Sequence, residues 1–221
     1  MPGSTGAGSW RARLDLPTYS VADAARYAGV HPNTVRSWFS GGGRLGPVLF
    51  REQQGLLSFL DLVEVAFVAT FRKHGVSMPT VRRARKYLAE TFRSEHPFAV
   101  HRLKTDGHHV LMDFEDIAVA DRRILVADMH GQMAWHRILS ERLAEFEYDQ
   151  DFVVKWMLCG RGSPVSIDMR VAFGNPAVRG VPTFAIGGRR RAGEAVRSIC
   201  DDFGLEESDV LAALEFEGIA A

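Results

Sequence analysis

Residues 19–38 read YSVADAARYAGVHPNTVRSW, which predicts two short helices joined by a glycine turn. Ser20 stands where an N-cap residue can accept a hydrogen bond from the first turn of the first helix. Pro32 fits the first turn of the second helix, because the backbone N–H that proline lacks would be unpaired there. Val35 and Trp38 lie three residues apart on one face of that helix. The stretch therefore predicts a helix-turn-helix, whose second helix can enter a DNA major groove.

A hairpin and two more helices are predicted to follow the helix-turn-helix. Apolar residues at 48–50 and 56–59 flank a polar turn that contains a glycine, a pattern typical of a hairpin, or wing. A third helix is expected over residues 59–73. A fourth is expected to begin at Ser77 or Thr80, and its apolar residues have helical spacing: Val81, Ala84, Leu88 and Phe92.

The formal net charge is zero, but the two halves of the chain have opposite charge. Residues 1–104 hold 15 Lys and Arg against 7 Asp and Glu, whereas residues 105–221 hold 12 against 20. This asymmetry indicates a polyanion as the partner of the first half and a different partner for the second. The composition is 46% hydrophobic and 24% charged, which excludes collagen-like, coiled-coil and wholly disordered proteins. Two cysteines are too few for a disulfide framework.

The middle of the chain has shorter apolar runs that predict strands. Strands are expected at 98–103 and 109–114 around Asp106-Gly107, then at 117–119 and 123–127, before a helix over 133–146 and a strand over 152–158. The tail is expected to be extended at 165–167, irregular up to residue 186, and helical over 194–203 and 207–216. These last helices outline a second helix-turn-helix with an acidic surface. DNA phosphates would repel that surface, so a protein partner is expected for it.

The predicted fold class is α+β, mostly α, in four parts. Residues 1–17 form a flexible N-terminus, and residues 18–95 form a winged helix-turn-helix DNA-binding domain. Residues 96–162 form a β-hairpin and helix middle region, and residues 163–221 form a trihelical, helix-turn-helix-like tail. The middle region is expected to carry dimerisation, because a single helix-turn-helix reads only a short half-site. The N-terminus has no apolar signal-peptide run and the chain has no membrane-length apolar stretch, so a cytoplasmic protein without membrane contact is expected.

The head of the chain has a set of short motifs: YSV at 19–21, AA at 24–25, GVHPNTVR at 29–36 with Trp38, FLDL at 59–62 and GVS at 75–77. Through these motifs, residues 18–93 resemble the MerR-type winged helix. The resemblance implies the winged helix-turn-helix fold and DNA binding. His31 departs from the pattern, because the family usually has a capping serine there.

Five residues are predicted DNA contacts from their places on the second helix and the wing. Asn33, Thr34 and Arg36 lie on the second helix and are candidates for groove or phosphate contact. Arg44 and Arg51 are placed to reach phosphates from the loop and the wing.

The tail has a set of short motifs: ID at 167–168, FGNP at 173–176, VRG at 178–180, PT at 182–183, Ile186 and GE at 193–194. Through these motifs, residues 163–217 resemble a short domain common in bacterial antitoxin-like proteins. The whole chain resembles the long mycobacterial VapB-type antitoxins, which are paired with VapC-type PIN-domain ribonuclease toxins. The resemblance implies a toxin partner and repression of the chain's own operon.

The resemblance also suggests how such a toxin is blocked. A PIN nuclease gathers carboxylates around Mg²⁺, so an arginine of the antitoxin can compete through a bidentate ion pair. Arg189, Arg190 and Arg191 form the basic cluster of the acidic half. This basic cluster is predicted to reach the toxin, with Arg179 as the second candidate.

Two other classes of function stay open from the sequence. Six of the eight histidines fall between residues 96 and 136, near several acidic residues, so a metal-dependent enzyme is conceivable. However, the chain has no HExxH, CxxC, P-loop or GxSxG motif. No catalytic residue, metal site or cofactor is therefore predicted. The other alternative is a MerR-like transcriptional regulator whose middle region senses a small ligand.

Overall fold

The computed structural model describes residues 10–41, 46–49, 55–105 and 139–220, which fold as two compact units. The head unit comprises Asp15–Ala144 and Tyr148–Val153, and the tail unit comprises Met1–Leu14, Glu145–Glu147 and Val154–Ala221. The predicted domain boundaries after residues 17, 95 and 162 stay predictions, as does dimerisation through the middle region. Predicted strands 109–114, 117–119 and 123–127 lie outside the described residues.

The head unit contains the predicted helix-turn-helix. Its helices are α1 (Val21–Ala28), α2 (Pro32–Ser40), α3 (Phe59–Lys73), α4 (Met78–Phe92) and the short α5 (His101–Thr105). Strand β1 (Tyr19–Ser20) pairs antiparallel with β2 (Leu56–Leu57), which places Tyr19 opposite Leu57. The four helices predicted between residues 19 and 93 are thus confirmed, and the α+β fold class with them.

Helices α1 and α3 begin with the same hydrogen-bonded cap. Ser20 Oγ accepts a hydrogen bond from the Asp23 backbone N–H at 3.1 Å, and Asp23 Oδ2 accepts one from the Ser20 backbone N–H at 3.0 Å. Ser58 and Asp61 repeat the arrangement at the start of α3. These reciprocal bonds satisfy N–H groups that have no partner within the helix. The start of each helix is therefore determined by four local residues.

Helix α3 lies at the centre of the core of the head unit. All its side chains from residue 59 to residue 71 are buried. The rings of Phe67 and Phe71 each lie 5.4 Å, centroid to centroid, from the ring of Phe98. Aromatic pairs at this separation add to the stabilisation that burial already supplies. This core holds the helix-turn-helix and α4 around one apolar helix.

A buried ion pair links α3 to α4. Glu64 Oε2 lies 2.6 Å from Arg85 Nε, and the two side chains are 2% and 7% exposed. Glu64 Oε1 accepts a hydrogen bond from the Phe98 backbone N–H at 2.7 Å, and Arg85 Nη2 donates one to the Glu95 carbonyl at 2.6 Å. Buried charges are tolerated where they are paired and hydrogen-bonded in this way.

The rest of the chain forms a five-stranded sheet and three helices, of which the tail unit contains residues 146–147 and 154–157 of the first two strands and all of the other elements. The sheet follows chain order: β3 (Phe146–Asp149), β4 (Phe152–Met157), β5 (Val165–Asp168), β6 (Pro176–Val178) and β7 (Val181–Pro182). The helices are α6 (Thr183–Arg191), α7 (Val196–Phe203) and α8 (Glu207–Phe216). Their shared core is made by Val165, Val178, Ile186, Ile199, Val210 and Leu214. The two predicted acidic helices correspond to α7 and α8.

Four predictions of secondary structure are wrong. The described parts of the predicted hairpin do not pair with each other, because β2 pairs with β1, whereas the backbone N–H groups of Val48 and Leu49 donate to the carbonyl of Trp38. Residues 98–103 form no strand, because Val100 makes a single bridge to Phe152 and α5 begins at the next residue. The helix predicted over 133–146 is helical at residues 139–143, but Phe146 begins β3. The region 168–186 is not irregular, since β6, β7 and the start of α6 lie there. The basic cluster therefore ends a helix instead of lying in a loop.

Tertiary packing explains the helix at 183–191. Gly187 and Gly188 lower its intrinsic helix propensity. However, a Cβ atom at Gly187 would lie 2.7 Å from Cδ1 of Ile219. Glycine therefore allows the chain that follows α8 to approach α6 closely, and this long-range contact has no signature in the local sequence. The strand at Phe146 has a similar cause, because its buried ring packs 5.6 Å from that of Trp156 on β4.

Candidate functional site

Helix α2 has one buried face and one exposed face. Val35 and Trp38 are 0% and 4% exposed and anchor the helix in the head unit. The predicted DNA contacts Asn33, Thr34 and Arg36 are all exposed. The structure therefore places these three residues on the accessible side of the helix. Arg44 and Arg51, the other two predicted contacts, lie outside the described residues.

The exposed side chains of α2 are linked to one another. Arg36 Nη1 donates a hydrogen bond of 2.7 Å to Oδ1 of Asn33, one turn earlier. Ser37 Oγ donates to the carbonyl of Thr34, also at 2.7 Å. These bonds restrict the guanidinium and the amide on the exposed face, so that their donors are presented together. Arginine and asparagine are both side chains that pair with base edges in the major groove.

His31 provides the N-cap of α2. Its backbone is extended, and its Nδ1 accepts a hydrogen bond from the Asn33 backbone N–H at 3.1 Å. An imidazole thus performs the capping role that a serine hydroxyl usually has in the MerR-type pattern. In the neutral imidazole, acceptance at Nδ1 requires the ring proton to be on Nε2.

The head unit exposes several basic side chains, while part of its acidic charge is buried or engaged in helix caps. The acidic side chains Asp61 and Glu64 are buried, and Asp23 is engaged in its helix cap. Exposed basic residues of the head unit include Arg26, Arg72, Lys73, Lys86 and Arg93. An accessible surface of this sign favours a polyanion.

The basic cluster, Arg189 to Arg191, has three different environments. Arg189 is paired with Glu194 and lies 2.5 Å from Asp202 Oδ2. These hydrogen bonds raise its pKa, the bond to Glu194 most of all. Arg190 Nη1 donates to the Glu194 carbonyl at 3.2 Å. Arg191 is exposed and has no side-chain hydrogen bond or ion pair within the part of the chain that the structure describes.

The Arg179 side chain is hydrogen-bonded through Nε but is largely exposed to solvent. The backbone of this residue is in the left-handed region, with φ of 47°. Nε donates to the carboxylate of Asp209, whose side chain is 6% exposed, while the side chain of Arg179 is 62% exposed. The hydrogen bond to Asp209 raises the pKa of Arg179. Asp209 is thus buried although its helix has an acidic surface, and no local signal in the sequence indicates this pairing across 30 residues.

An ion-pair ladder crosses three strands of the tail unit. Lys155 Nζ lies 2.8 Å from Glu147 Oε1, and Arg170 Nη2 bridges Glu147 at 3.3 Å and Asp168 at 2.7 Å. Hydrogen bonding to Lys155 is the main cause of the lowered pKa of Glu147. Burial alone would raise the pKa of Asp168, but hydrogen bonds from the side chain and backbone of Arg170 lower it overall.

The histidine-rich stretch is only partly within the described residues. His96 and His101 are described, whereas His108, His109, His130 and His136 are not. Among the residues that can be described, no group of three or more His, Cys, Asp or Glu side chains could hold a metal ion. Over the same residues, no helix has the length and apolar character needed to cross a membrane.

Comparison with known proteins identifies the head. Residues 19–88 match the family described as MerR HTH family regulatory protein. These residues form a MerR-type helix-turn-helix domain. The chain is also similar to a Mycobacterium tuberculosis (strain ATCC 25618 / H37Rv) protein named "Putative antitoxin VapB45", with 26% identity over 231 aligned residues. This alignment covers 92% of this chain and 95% of that protein.

A solved structure shares the fold. The crystal structure of Rv2018 from Mycobacterium tuberculosis superposes with a TM-score of 0.73 at 24% identity. The match covers 91% of this chain and 99% of that chain. The similarity therefore includes the tail as well as the MerR-type domain.

Proposed function

We propose that the chain is the antitoxin of a type II toxin-antitoxin system. The observation that carries this proposal is the similarity to VapB45, because it extends over 92% of this chain and so includes both units. A protein similar only in its DNA-binding head would share no more than the MerR-type domain. The toxin is proposed to be a PIN-domain ribonuclease of the VapC type, and the protein is proposed to be a cytoplasmic homodimer.

The head unit is proposed to bind the operator of the chain's own operon and to repress it. Helix α2 would enter the major groove with Asn33, Thr34 and Arg36 on its exposed face. Arg44 and Arg51 would contact phosphates from the loop and the wing. A dimer would read two half-sites of double-stranded operator DNA, which gives more specificity than one head.

The tail unit is proposed to neutralise the toxin. A guanidinium that pairs bidentately with the metal-binding carboxylates of a PIN nuclease would compete with Mg²⁺ and with RNA. The candidates are Arg179, Arg189, Arg190 and Arg191. Of these, Arg179 and Arg191 are the exposed ones, whereas Arg189 is already occupied by two carboxylates.

Co-expression with the product of the adjacent gene tests the proposal. We expect the two proteins to elute together from a size-exclusion column, and we expect the RNA cleavage of the partner with Mg²⁺ to be suppressed in the complex. The dimeric chain should also bind a promoter fragment of its own operon.

The main alternative function is a MerR-like regulator that senses a small ligand, which the match of residues 19–88 to a regulatory family favours. Absence of a complex, together with promoter binding that changes with a small ligand, would support this regulator and contradict the antitoxin.

A further inference from the structure

The tail unit carries an open groove of about 440 Å³. Its lining includes Lys155, Ser166 and Ala177, which lie on three neighbouring strands, and Ser166 is the register partner of Ala177. Small side chains at these two positions leave room above the sheet. The rest of its lining, the groove wall, includes Val171, Arg179 and Gly180 together with the carboxylates of Asp168 and Asp209. The groove therefore has a floor of small residues and a wall that carries the guanidinium of Arg179 and two carboxylates, each of which is already bonded to an arginine.

Arg179 is preorganised at this wall. The buried carboxylate of Asp209 accepts from its Nε, and no other hydrogen bond of the Arg179 side chain occurs within the described residues. Nη1 and Nη2 are thus available in a fixed orientation, which is the geometry that a carboxylate can accept bidentately. A side chain that is already ordered loses less entropy when a partner binds.

An exposed aromatic ring lies next to the groove wall in sequence. Phe173 is 74% exposed, and Val171, which lines the groove, is 39% exposed. The ring of Phe173 is covered on one side by the guanidinium of Arg13, 4.7 Å from its centroid. Ala172 and Phe173 have φ of 49° and 54°, a left-handed conformation that is rare for residues other than glycine. Such strained conformations occur more often at binding and active sites than elsewhere. Exposed aromatic and arginine side chains together are typical of residues that dominate binding energy at interfaces.

We propose that this groove is the docking site for the toxin, with a carboxylate of the toxin paired to Arg179 and an apolar side chain packed against Phe173 and Val171. The inference rests on the proposed function and goes further by selecting Arg179 over the basic cluster. A nucleic acid is a poor occupant, because Asp168 and Asp209 line the groove and the tail unit exposes further carboxylates, among them Asp201, Asp202, Glu206 and Glu207. A single carboxylate on a protein surface instead matches one fixed guanidinium.

Three variants of the full-length chain test the groove by different means. Arg179→Gln removes the positive charge and the paired N–H donors of the guanidinium. Phe173→Asn removes the aromatic ring but keeps a residue that tolerates a left-handed backbone. Ser166→Trp fills the groove from its floor. Arg197→Gln is the matched control, because Arg197 is exposed on α7 and does not line the groove. The probe is the purified product of the adjacent gene. Thermal unfolding of each variant confirms that the tail unit is folded.

We expect each groove variant to raise the dissociation constant at least tenfold and to restore RNA cleavage, while Arg197→Gln stays within twofold of the wild type. Groove variants that bind within twofold of the wild type would overturn the docking site. So would a tenfold loss confined to Arg191→Gln, which would place the contact at the basic cluster. A wild-type chain that does not bind the probe would instead refute the proposed function, and the docking site with it. The two failures are distinguishable, because only the first leaves wild-type binding intact.

Asp209 provides a second test, as a positioning residue that acts through Arg179. Asp209→Asn should raise the dissociation constant, because the guanidinium is no longer held by a charge. In the Arg179→Gln background the same substitution should have no further effect on binding. A loss that is equally large in both backgrounds would contradict the positioning role and indicate a general effect on the tail unit.

Discussion

Arg36 Nη1 donates a hydrogen bond of 2.7 Å to Asn33 Oδ1 on the exposed face of α2. The two side chains are one turn apart, and each fixes the orientation of the other. Any contact that Arg36 makes with DNA therefore depends on Asn33, and the reverse also holds. Residues joined in one hydrogen-bond network behave non-additively when they are replaced.

Replacement of Arg36 by alanine is expected to weaken operator binding by about 1–3 kcal/mol, the range of one specific base contact. Asn33→Ala should cost a similar amount, and the double variant should cost less than the two single losses together. Binding to a promoter fragment at a fixed salt concentration measures all three. Arg197→Ala, in the tail unit, is the control for a change of net charge alone. Unchanged operator affinity in Arg36→Ala would show that the DNA-binding face lies elsewhere.

Replacement of His31 by alanine should destabilise the head unit by about 0.5–2 kcal/mol, because α2 loses its N-cap. His31→Ser should restore most of this stability, since a hydroxyl can accept the same Asn33 N–H bond. Urea unfolding of the three proteins, followed by circular dichroism, measures the difference. Equal losses for alanine and serine would mean that the imidazole stabilises the helix by a contact other than the cap.

The buried pair of Glu64 and Arg85 is expected to be sensitive to the loss of one partner. Glu64→Gln removes the carboxylate charge that lies 2.6 Å from Nε of the buried Arg85, and breaking such a pair costs about 3–5 kcal/mol. The exposed pair of Lys86 and Glu90, with Nζ and Oε1 3.8 Å apart, is the matched control, because Lys86→Ala should cost about 0.5 kcal/mol or less. Unfolding free energies from urea titration compare the two. A small loss for Glu64→Gln would contradict a net role of the charge in joining α3 to α4.

The head unit could be predicted in some detail because its signals are local. Ser20 and Asp23 lie within four residues, and they form the cap that the sequence indicates. Val35 and Trp38 are spaced for one helix face, and both are buried. Patterns of this kind depend on the helical repeat and on the chemistry of helix ends, which one sequence displays directly.

The tail unit was predicted less well because its determinants are far apart in the chain. Arg179 and Asp209 are 30 residues apart, and nothing in either local sequence indicates that they pair. Gly187 suggests a turn by composition, whereas its packing against Ile219 favours a helix. Phe173 is apolar and would be expected to be buried, yet it is 74% exposed. The candidate docking groove is formed by such long-range relations and could not have been found from the sequence.

The ion-pair ladder predicts how the stability of the tail unit changes with pH. The pKa of Glu147 is lowered from its ordinary value of 4.5 and that of Asp168 from 3.8. A carboxyl whose pKa is lower in the folded state adds stability above its unfolded pKa, and this stability is lost as the pH falls through the folded pKa. The contribution is therefore complete at pH 5 and above, and it decreases as the medium becomes more acidic than about pH 4.

Arg170→Gln removes the side-chain bonds that Arg170 makes to Asp168 and Glu147, while the Lys155 bond that mainly lowers the pKa of Glu147 stays. We expect this variant to be less stable than the wild type from pH 7 to pH 5, and the difference should shrink as the pH approaches 3, where the carboxyls of both proteins become protonated. Both carboxyls are partly exposed, so solvent screening keeps the effect small. Urea midpoints at pH 7, 5, 4 and 3 measure it, and Arg161→Gln, an exposed arginine outside the ladder, is the control. A stability difference that stays constant from pH 7 to pH 3 would mean that Arg170 stabilises the tail unit by packing and not through the charges of Glu147 and Asp168.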